Sequence, residues 1–303
     1  MTDPARRLAR TLEDRGLRWE VISHAALPGG AIAWLRVSPA AEDLASAMLA
    51  RDLVIEETGD VPRLRVCNPQ RGPVLLPADL VVDGGKQARV VERSLIVPGF
   101  SVVDVPVRCV EQGRWHARDT RTATTFAAMA TATTGSREEL LRMKRATLRR
   151  TGDYTLEQRE VWDHVDQELH RTRTTTQTRS YTAFLSVRAE RVAEARRLDI
   201  QAPTGANGLA LIRRGSVWIE VFPTRDDMSS IVPAVVADAL DGQAEDPSRV
   251  DVAVHAIANA PLAPIECVAG TLGESFALDG AGVTGFALLH RGGVAHIVAS
   301  AAC

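Results

Sequence analysis

Short apolar segments separated by turns follow one another along the first part of the chain. Each is rich in Val, Ile and Leu, and they recur at a spacing of about ten residues: Asp52–Glu57, Arg63–Cys67, Val74–Val82, Ala88–Ile96 and Ser101–Val110. Glycine and proline occupy the sequence between them, as in Thr58-Gly59-Asp60 and Pro98-Gly99. This spacing favours an antiparallel sandwich or open barrel over a βαβ fold.

Helical signals frame the strand-rich region. Leu8, Ala9 and Leu12 have helical spacing, so a short surface helix is predicted from Pro4 to Gly16. Two capping boxes follow later in the chain, because a Ser or Thr hydroxyl can accept from the third amide after it. They are Ser136-Arg137-Glu138-Glu139 and Thr155-Leu156-Glu157-Gln158; the second opens a helix that runs to about Arg171, and a third helix is predicted over Tyr181–Leu198.

Two tracts beside these helices lack a clear period. Arg171–Arg179 is polar and β-branched and is predicted to be an exposed loop, whereas the Thr- and Ala-rich run Arg118–Gly135 is either a loop or a poorly packed helix. The remaining sequence alternates between strand and helix. Strands are predicted at Gly208–Ile212, Val217–Phe222 and Arg249–Ile257, a helix at Asp226–Leu240, and a hairpin joining Val283–His290 to Val294–Val298 through Arg291-Gly292-Gly293.

Together these patterns predict an α+β fold. Its parts are an antiparallel β-sandwich-like N-terminal half, a helical middle segment, and a mixed α/β C-terminal part packed on it. The predicted boundaries are an N-terminal helix over residues 1–17, a β-rich region over 18–117, a helical segment over 118–200 and a C-terminal α+β region over 201–303. The last region is expected to form one compact domain with residues 18–200.

Composition narrows the class of protein. The 303 residues are 45% hydrophobic and 24% charged, the balance of an ordinary globular protein, and the net charge of −2 provides no field for binding nucleic acid or an anionic membrane. The four cysteines form no C-x-x-C pair, and the N-terminus lacks the pattern of a signal peptide. We therefore expect a cytoplasmic protein without nucleic-acid or membrane partners, and its oligomeric state stays open.

The first candidate for chemistry is the segment Asp83–Arg89, here called the glycine turn. Gly84 and Gly85 allow the backbone to turn sharply and present consecutive amides to an anion. Lys86 adds a point charge, Gln87 an amide, and Arg89 a planar fork suited to phosphate or carboxylate. The segment is equally typical of a hairpin turn with a charged tip. Its glycine spacing is not that of a Walker loop.

The second candidate is Cys109–His116, here called the polar turn. Glu111 and His116 are candidate general acids or bases, Trp115 can stack on a base or sugar, and Arg114 can hold a phosphate. Cys109 would be a nucleophile only if Arg114 stabilised its thiolate. The structural alternative is a salt bridge between Glu111 and Arg114 beneath a buried Trp115.

Other catalytic signals are weak. Asp166 and His170 lie one helical turn apart and could bind a metal, but this spacing is more typical of a surface ion pair. No metal site is therefore predicted. The sequence contains no Gly-x-Ser-x-Gly elbow, which disfavours a hydrolase triad.

Both turns resemble those of a known family, the ARPP domain family, named for association with ADP-ribosylglycohydrolase and rhodanese-phosphatase proteins. The resemblance rests on Gly84-Gly85-Lys86-Gln87-x-Arg89 and Cys109-Val110-Glu111-x-Gly113-Arg114-Trp115. Gln158-x-x-Val161-Trp162-x-x-Val165 and Glu220-Val221-Phe222 are weaker matches, and the likeness runs from about Asp52 to the final hairpin. Ala88 departs from the pattern, where a polar residue such as Asn is expected. The resemblance implies a link to ADP-ribose or NAD metabolism and supplies no catalytic residue.

These observations lead to three hypotheses about the function of the protein. In the first, the protein binds an ADP-ribose-like nucleotide or sugar phosphate: Lys86, Arg89 and Arg114 hold phosphates, Trp115 stacks, and Glu111 acts as base. In the second, it is a non-catalytic scaffold whose polar clusters are structural salt bridges. A weaker third reading is a metal-dependent hydrolase that uses His116. Whether the protein is an enzyme, and which cofactor it would use, stays open at this stage.

Overall fold

A computed structural model of the protein describes residues 10–47, 52–117 and 125–302. Its contacts divide the chain into two units. One consists of Met1–Glu42, Glu194–Cys267 and Gly273–Cys303, and the other of Asp43–Ala193 with Val268–Leu272. This division cuts across the predicted region of residues 18–117, because the strands in residues 18–38 pair with the C-terminal part of the chain.

The first unit is built on an eight-stranded antiparallel sheet in the order β1-β2-β12-β13-β17-β16-β15-β14. Its strands are β1 (Arg18–Leu27), β2 (Gly30–Ser38), β12 (Gly208–Arg213), β13 (Ser216–Val221), β14 (Leu262–Ile265), β15 (Glu274–Gly280), β16 (Val283–His290) and β17 (Gly293–Ala302). The predicted glycine hairpin is confirmed: β16 and β17 pair antiparallel, and Arg291 and Gly292 both adopt positive φ.

Helices α4 (Arg225–Ala237) and α5 (Arg249–Ala258) belong to the same unit. The predicted strand over Arg249–Ile257 is wrong, since this segment is α5. Val250, Val252 and Val254 alternate as in a strand, but Val250, Val254 and Ile257 also share one helical face, and that face is buried in the core. Val252 is left 66% exposed. The predicted helix over Asp226–Leu240 corresponds to α4.

The second unit contains a six-stranded antiparallel sheet in the order β11-β7-β8-β10-β5-β4 and a small sheet β3-β6-β9. The strands are β3 (Ala45–Ser46), β4 (Val54–Glu57), β5 (Arg63–Asn68), β6 (Val74–Leu76), β7 (Leu80–Gly84), β8 (Arg89–Val91), β9 (Leu95–Val97), β10 (Ser101–Cys109) and β11 (Phe126–Thr131). A bridge between Glu56 and Thr125 joins the two edges, so the larger sheet curls on itself. Apolar side chains such as Val66, Val82 and Val105 fill the enclosed core.

Helices α1 (Thr134–Thr151) and α2 (Gln158–Arg171) pack on the outer face of this sheet, where Leu140, Val161 and Val165 contact Val81 and Val90. A third helix, α3 (Tyr181–Arg197), confirms the helix predicted from Tyr181 and runs across the sequence boundary between the units. The α+β class and its antiparallel strands are confirmed.

Both capping boxes are wrong in detail. Thr133 is the N-cap of α1 and accepts from the Ser136 amide, while the Ser136 hydroxyl accepts from Tyr181. Two hydroxyl residues spaced three apart satisfy the same local pattern, and the tertiary contact decides between them. At α2 the N-cap is Glu157, without a side-chain hydrogen bond, because the Thr155 hydroxyl donates to Glu92 instead.

Two further expectations change. Residues 10–16, the described part of the predicted N-terminal helix, form turns that end at Gly16 with φ 85°; residues 4–9 lie outside the described residues. Within Arg118–Gly135, the segment Phe126–Thr131 is strand β11 rather than loop or helix, because it pairs along β7; residues 118–124 also lie outside the described residues.

Candidate functional site

The glycine turn and the polar turn meet in the second unit. Strand β8 begins at Arg89, β10 ends at Cys109, and these two residues are direct partners in an antiparallel ladder. The turn before β8 and the turn after β10 therefore leave the sheet at the same end. The convergence of the two sequence clusters is thus a product of strand register.

Gly84 and Gly85 make the sharp turn that the sequence predicts. Their φ angles are 145° and 45°, and a Cβ at Gly85 would lie 2.6 Å from Glu57 Oε1 and 2.8 Å from Phe126 Cζ. The turn amides are already used inside the protein. Gly85 N donates to Thr125 O (3.0 Å), and Lys86 N donates to Glu57 Oε1 (2.8 Å). The carboxylate of Glu57 therefore occupies the place that an anionic ligand would take at Lys86 N.

Glu111 is a fully buried and fully engaged carboxylate. Its Oε2 accepts from Arg114 Nη2 (2.6 Å) and from Ala88 N (3.0 Å), and its Oε1 accepts from the Thr178 hydroxyl (2.7 Å). Burial alone would raise the pKa of Glu111, but these hydrogen bonds and the charge of Arg114 together lower it to about 2. Such a carboxylate is a poor general base, since it binds a proton only in strong acid.

Arg114 ties the two turns together. Beyond its ion pair with Glu111, its Nη1 donates to the carbonyls of Gly85 (2.8 Å) and His116 (2.9 Å), and its Nη2 lies 3.6 Å from Asp83 Oδ1. The side chain is only 2% exposed. The predicted salt bridge between Glu111 and Arg114 is present, and it closes the polar turn against the glycine turn.

Arg89 is buried beside this pair but is less completely bonded. Its Nη1 donates to Gln87 Oε1 (3.0 Å), and Gln87 Nε2 in turn donates to Glu111 O (2.9 Å). Among the described residues, Arg89 Nε and Nη2 have no hydrogen-bond partner, although Nη2 lies 3.9 Å from Glu57 Oε1. Burial lowers the pKa of Arg89, and the nearby Cys109 and Glu57 act in the opposite direction.

Lys86 and Trp115 form the accessible side of the site. The Trp115 side chain is 46% exposed, so the alternative that placed a buried Trp115 over the salt bridge is wrong on this point. Lys86 Nζ lies 5.1 Å and Arg89 Cζ 5.7 Å from the centroid of the Trp115 ring. One indole thus contacts two cations, within the range of cation–π attraction. The side chain of His116 is exposed next to it.

The surroundings of Cys109 are those of a structural cysteine rather than a nucleophile. Its thiol is buried and donates to Glu111 O (3.0 Å), and burial raises the pKa of this thiol. A nucleophilic cysteine needs the opposite shift. The side chain of Gln158 accepts a hydrogen bond from the Cys109 amide (2.9 Å) and donates one to the Cys109 carbonyl (2.8 Å). Because Gln158 is the first residue of α2, these two bonds connect the start of this helix to the end of β10.

Sequence reasoning missed two residues of the site. Glu57 comes from β4 and Thr178 from the polar tract before α3, and neither stands in a recognisable motif. Thr178 O also accepts from Gly113 N (2.8 Å), and a Cβ at Gly113 would lie 2.9 Å from Thr178 Cα. The spacing of Gly113 signals a turn, but only the fold shows what packs against it.

The helical Asp166 is used for structure. Its carboxylate accepts from both Arg179 Nε (2.8 Å) and Arg179 Nη2, as an ion pair on the surface.

Within the described ranges no group of three or more His, Cys, Asp or Glu residues is arranged to hold a metal ion. None of the described helices is long and apolar enough to cross a membrane.

Comparison with known proteins identifies the family. The family model ARPP-1, the ARG and Rhodanese-Phosphatase-superfamily-associated Protein domain, matches residues 34–300. The matched region contains both turns as well as Glu57 and Thr178. No curated protein and no solved structure matches the chain.

Proposed function

The chain belongs to the ARPP-1 family, and from that premise we propose that it binds an ADP-ribose-like nucleotide or a sugar phosphate where the glycine turn and the polar turn meet. The family is named for association with ADP-ribosylglycohydrolase and rhodanese-phosphatase proteins. The name supplies the ligand class, and the support for a site comes from the geometry.

One observation carries the proposal: a buried guanidinium with unused donors contacts an exposed indole, and a lysine contacts the same indole. Arg89 is 0% exposed, yet two of its nitrogens lack hydrogen-bond partners among the described residues. A buried donor left unbonded costs about 1–3 kcal/mol, so it is expected to find a partner. Trp115 contacts this guanidinium and supplies a stacking surface, and Lys86 places a second cation on the same ring.

The residues take different roles in this proposal. Lys86 and Arg89 bind the phosphate and Trp115 stacks on the base or sugar. Gln87 orients Arg89. Gly84, Gly85, Arg114 and Glu111 hold the shape of the two turns, because their polar atoms are bonded to one another. If a reaction follows binding, exposed His116 rather than saturated Glu111 is the side chain able to exchange a proton with a ligand.

A thermal-shift panel tests the proposal. Purified protein is heated with ADP-ribose, NAD, ADP-ribose-1″-phosphate, AMP and divalent metals, beside the surface variants Lys86→Ala and Trp115→Ala. A ligand at about 100 times its Kd adds roughly 2.7 kcal/mol of stability, which shifts the Tm by several degrees. We expect a nucleotide-dependent shift that both variants lose without a change in their ligand-free Tm.

The control is Arg159→Ala, which removes an exposed cation on α2 that makes no hydrogen bond or ion pair with either turn among the described residues, and it should shift like the wild type. Arg89→Ala is a poor probe of binding by itself. It removes a fully buried charge next to Glu57 and is expected to cost about 3 kcal/mol of stability. Absence of a shift with every nucleotide would reject the binding proposal.

A second candidate function, a non-catalytic scaffold, is favoured by the buried ion pair between Glu111 and Arg114. These two side chains have the burial and the mutual contacts of structural salt bridges. A scaffold would show no ligand-dependent shift of the Tm. The variants Lys86→Ala and Trp115→Ala would have the same Tm as the wild type with and without each nucleotide. The same panel therefore separates the two functions.

A further inference from the structure

Two neighbouring buried side chains of the site, Glu57 and Arg89, carry one acceptor and two donors that are unbonded among the described residues. Glu57 Oε1 accepts from Lys86 N, but Glu57 Oε2 has no hydrogen-bond partner among the described residues, and neither have Arg89 Nε and Nη2. The two side chains are 4% and 0% exposed, and Arg89 Nη2 lies 3.9 Å from Glu57 Oε1, beyond hydrogen-bond range. Buried polar atoms are nearly always bonded, so these three atoms are available to a ligand group; the space between the two side chains is here called the gap.

The chemistry of the gap limits what can occupy it. The group must donate to the Glu57 carboxylate and accept from the Arg89 guanidinium. A phosphate oxygen at neutral pH only accepts and an ammonium only donates, whereas a hydroxyl does both. A phosphate in this position would also be repelled by the negative charge of the Glu57 carboxylate.

We infer that Glu57 and Arg89 together bind a hydroxyl group of a sugar ring, so that Glu57 determines specificity for ribose-bearing ligands. The inference rests on the proposed function and revises one role in it: Lys86 alone holds the phosphate, and Arg89 binds the hydroxyl of the sugar to which that phosphate is attached. It refines the ligand class to phosphorylated sugars that retain their hydroxyls. It also gives Glu57 a second role beyond accepting from the Lys86 amide.

The indole of Trp115 borders the same gap. Its ring lies 5.7 Å from Arg89 Cζ and its side chain is 46% exposed, so the guanidinium at the gap contacts a side chain that reaches solvent. The described polar contacts of this ring are the two cation–π contacts, with no hydrogen bond. A sugar that reaches Glu57 would therefore lie against the indole, an arrangement that apolar sugar faces favour.

Isothermal titration with AMP and 2′,3′-dideoxy-AMP tests the inference, because these two nucleotides share base and phosphate and differ only in the hydroxyls. A hydrogen bond to a charged group is worth enough for about a tenfold preference for AMP in the wild type. Glu57→Gln should reduce this preference to nearly none while still binding the dideoxy nucleotide. Glu56→Gln removes the same charge from the next residue of β4 and should behave like the wild type.

Each outcome of these titrations either supports or overturns the inference. Equal wild-type affinities for the two nucleotides would mean that the gap holds only water and would overturn the inference, while leaving the proposed nucleotide site intact. A preference that persists in Glu57→Gln would overturn the role of Glu57. If Glu57→Gln does not fold, Glu57→Asp, which withdraws the carboxylate, must weaken the preference. If neither nucleotide binds the wild type, the inference is rejected, and the thermal-shift panel with the other nucleotides decides whether the proposed function fails too.

Discussion

At the scale of the residue, burial separates charges that shape the site from charges that can meet a ligand. Both oxygens of the Glu111 carboxylate and both terminal nitrogens of Arg114 are engaged in contacts within the protein. Lys86 and Trp115 touch the same network from its accessible side. Arg89 stands between the two groups, buried like the first and incompletely bonded.

The depressed pKa of Glu111 predicts a pH-dependent stability. Its folded value of about 2 lies below the ordinary carboxyl value of 4.5, so its contribution is complete above about pH 4.5 and is lost as the pH falls toward 2. The difference corresponds to roughly 3 kcal/mol. Urea unfolding of Glu111→Gln and wild type should therefore differ by about that much near pH 7 and progressively less below pH 4.5.

The control is Glu190→Gln, on the exposed surface of α3, whose pH profile should follow that of the wild type. A Glu111→Gln variant that is as stable as wild type at neutral pH would contradict the structural role of this carboxylate. A difference that stays constant down to strong acid would contradict the lowered pKa.

At the scale of the element, periodicity predicts long segments and loses accuracy where two periods coincide. The hairpin β16–β17 and helix α3 have a single consistent pattern and fold as predicted. Arg249–Ala258 satisfies the strand and the helix period together, and the helix forms because it buries Val250 and Ile257 against the sheet. The N-caps of α1 and α2 differ from the predicted ones because the Ser136 and Thr155 hydroxyls bond to Tyr181 and Glu92, which are distant in sequence.

The glycine turn gives an element-scale prediction. Gly85→Ala places a Cβ against Glu57 and Phe126 at a φ of 45°, so it should destabilise through both strain and overpacking. Gly59→Ala is the matched control, since Gly59 also has positive φ (83°) but nothing within 4 Å of the added atom. We expect Gly85→Ala to cost at least about 1 kcal/mol more than Gly59→Ala in chemical denaturation. Equal costs would show that the turn tolerates the contact.

At the scale of the whole molecule, the second unit is nearly continuous in sequence and the first is not. Residues 43–193 lie between the N-terminal strands and the C-terminal part of the eight-stranded sheet, and only residues 268–272 are added from elsewhere. Such an arrangement is typical of a domain inserted into another. Every residue of the candidate site belongs to the inserted segment.

A fragment of residues 43–193 is therefore expected to fold alone, with a cooperative thermal transition in circular dichroism. Its stability should be lower than in the full chain, because Leu272 N no longer donates to Ile96 O. A fragment of residues 194–303 is the control. It lacks β1 and β2, leaves β12 without its neighbour, and should not unfold cooperatively. A broad, non-cooperative transition in the 43–193 fragment would contradict its autonomy.

The sequence by itself determined the α+β class, most strands and helices, the family, and the two segments that build the site, because these depend on local period, turn chemistry and adjacent motif residues. Only the tertiary structure decided that the two turns meet, since this depends on the register that pairs Arg89 with Cys109. It also decided which charges are structural. The partners Glu57 and Thr178 lie far away in the chain and carry no local signal, and burial, which governs what a charged group can do, depends on everything packed around it.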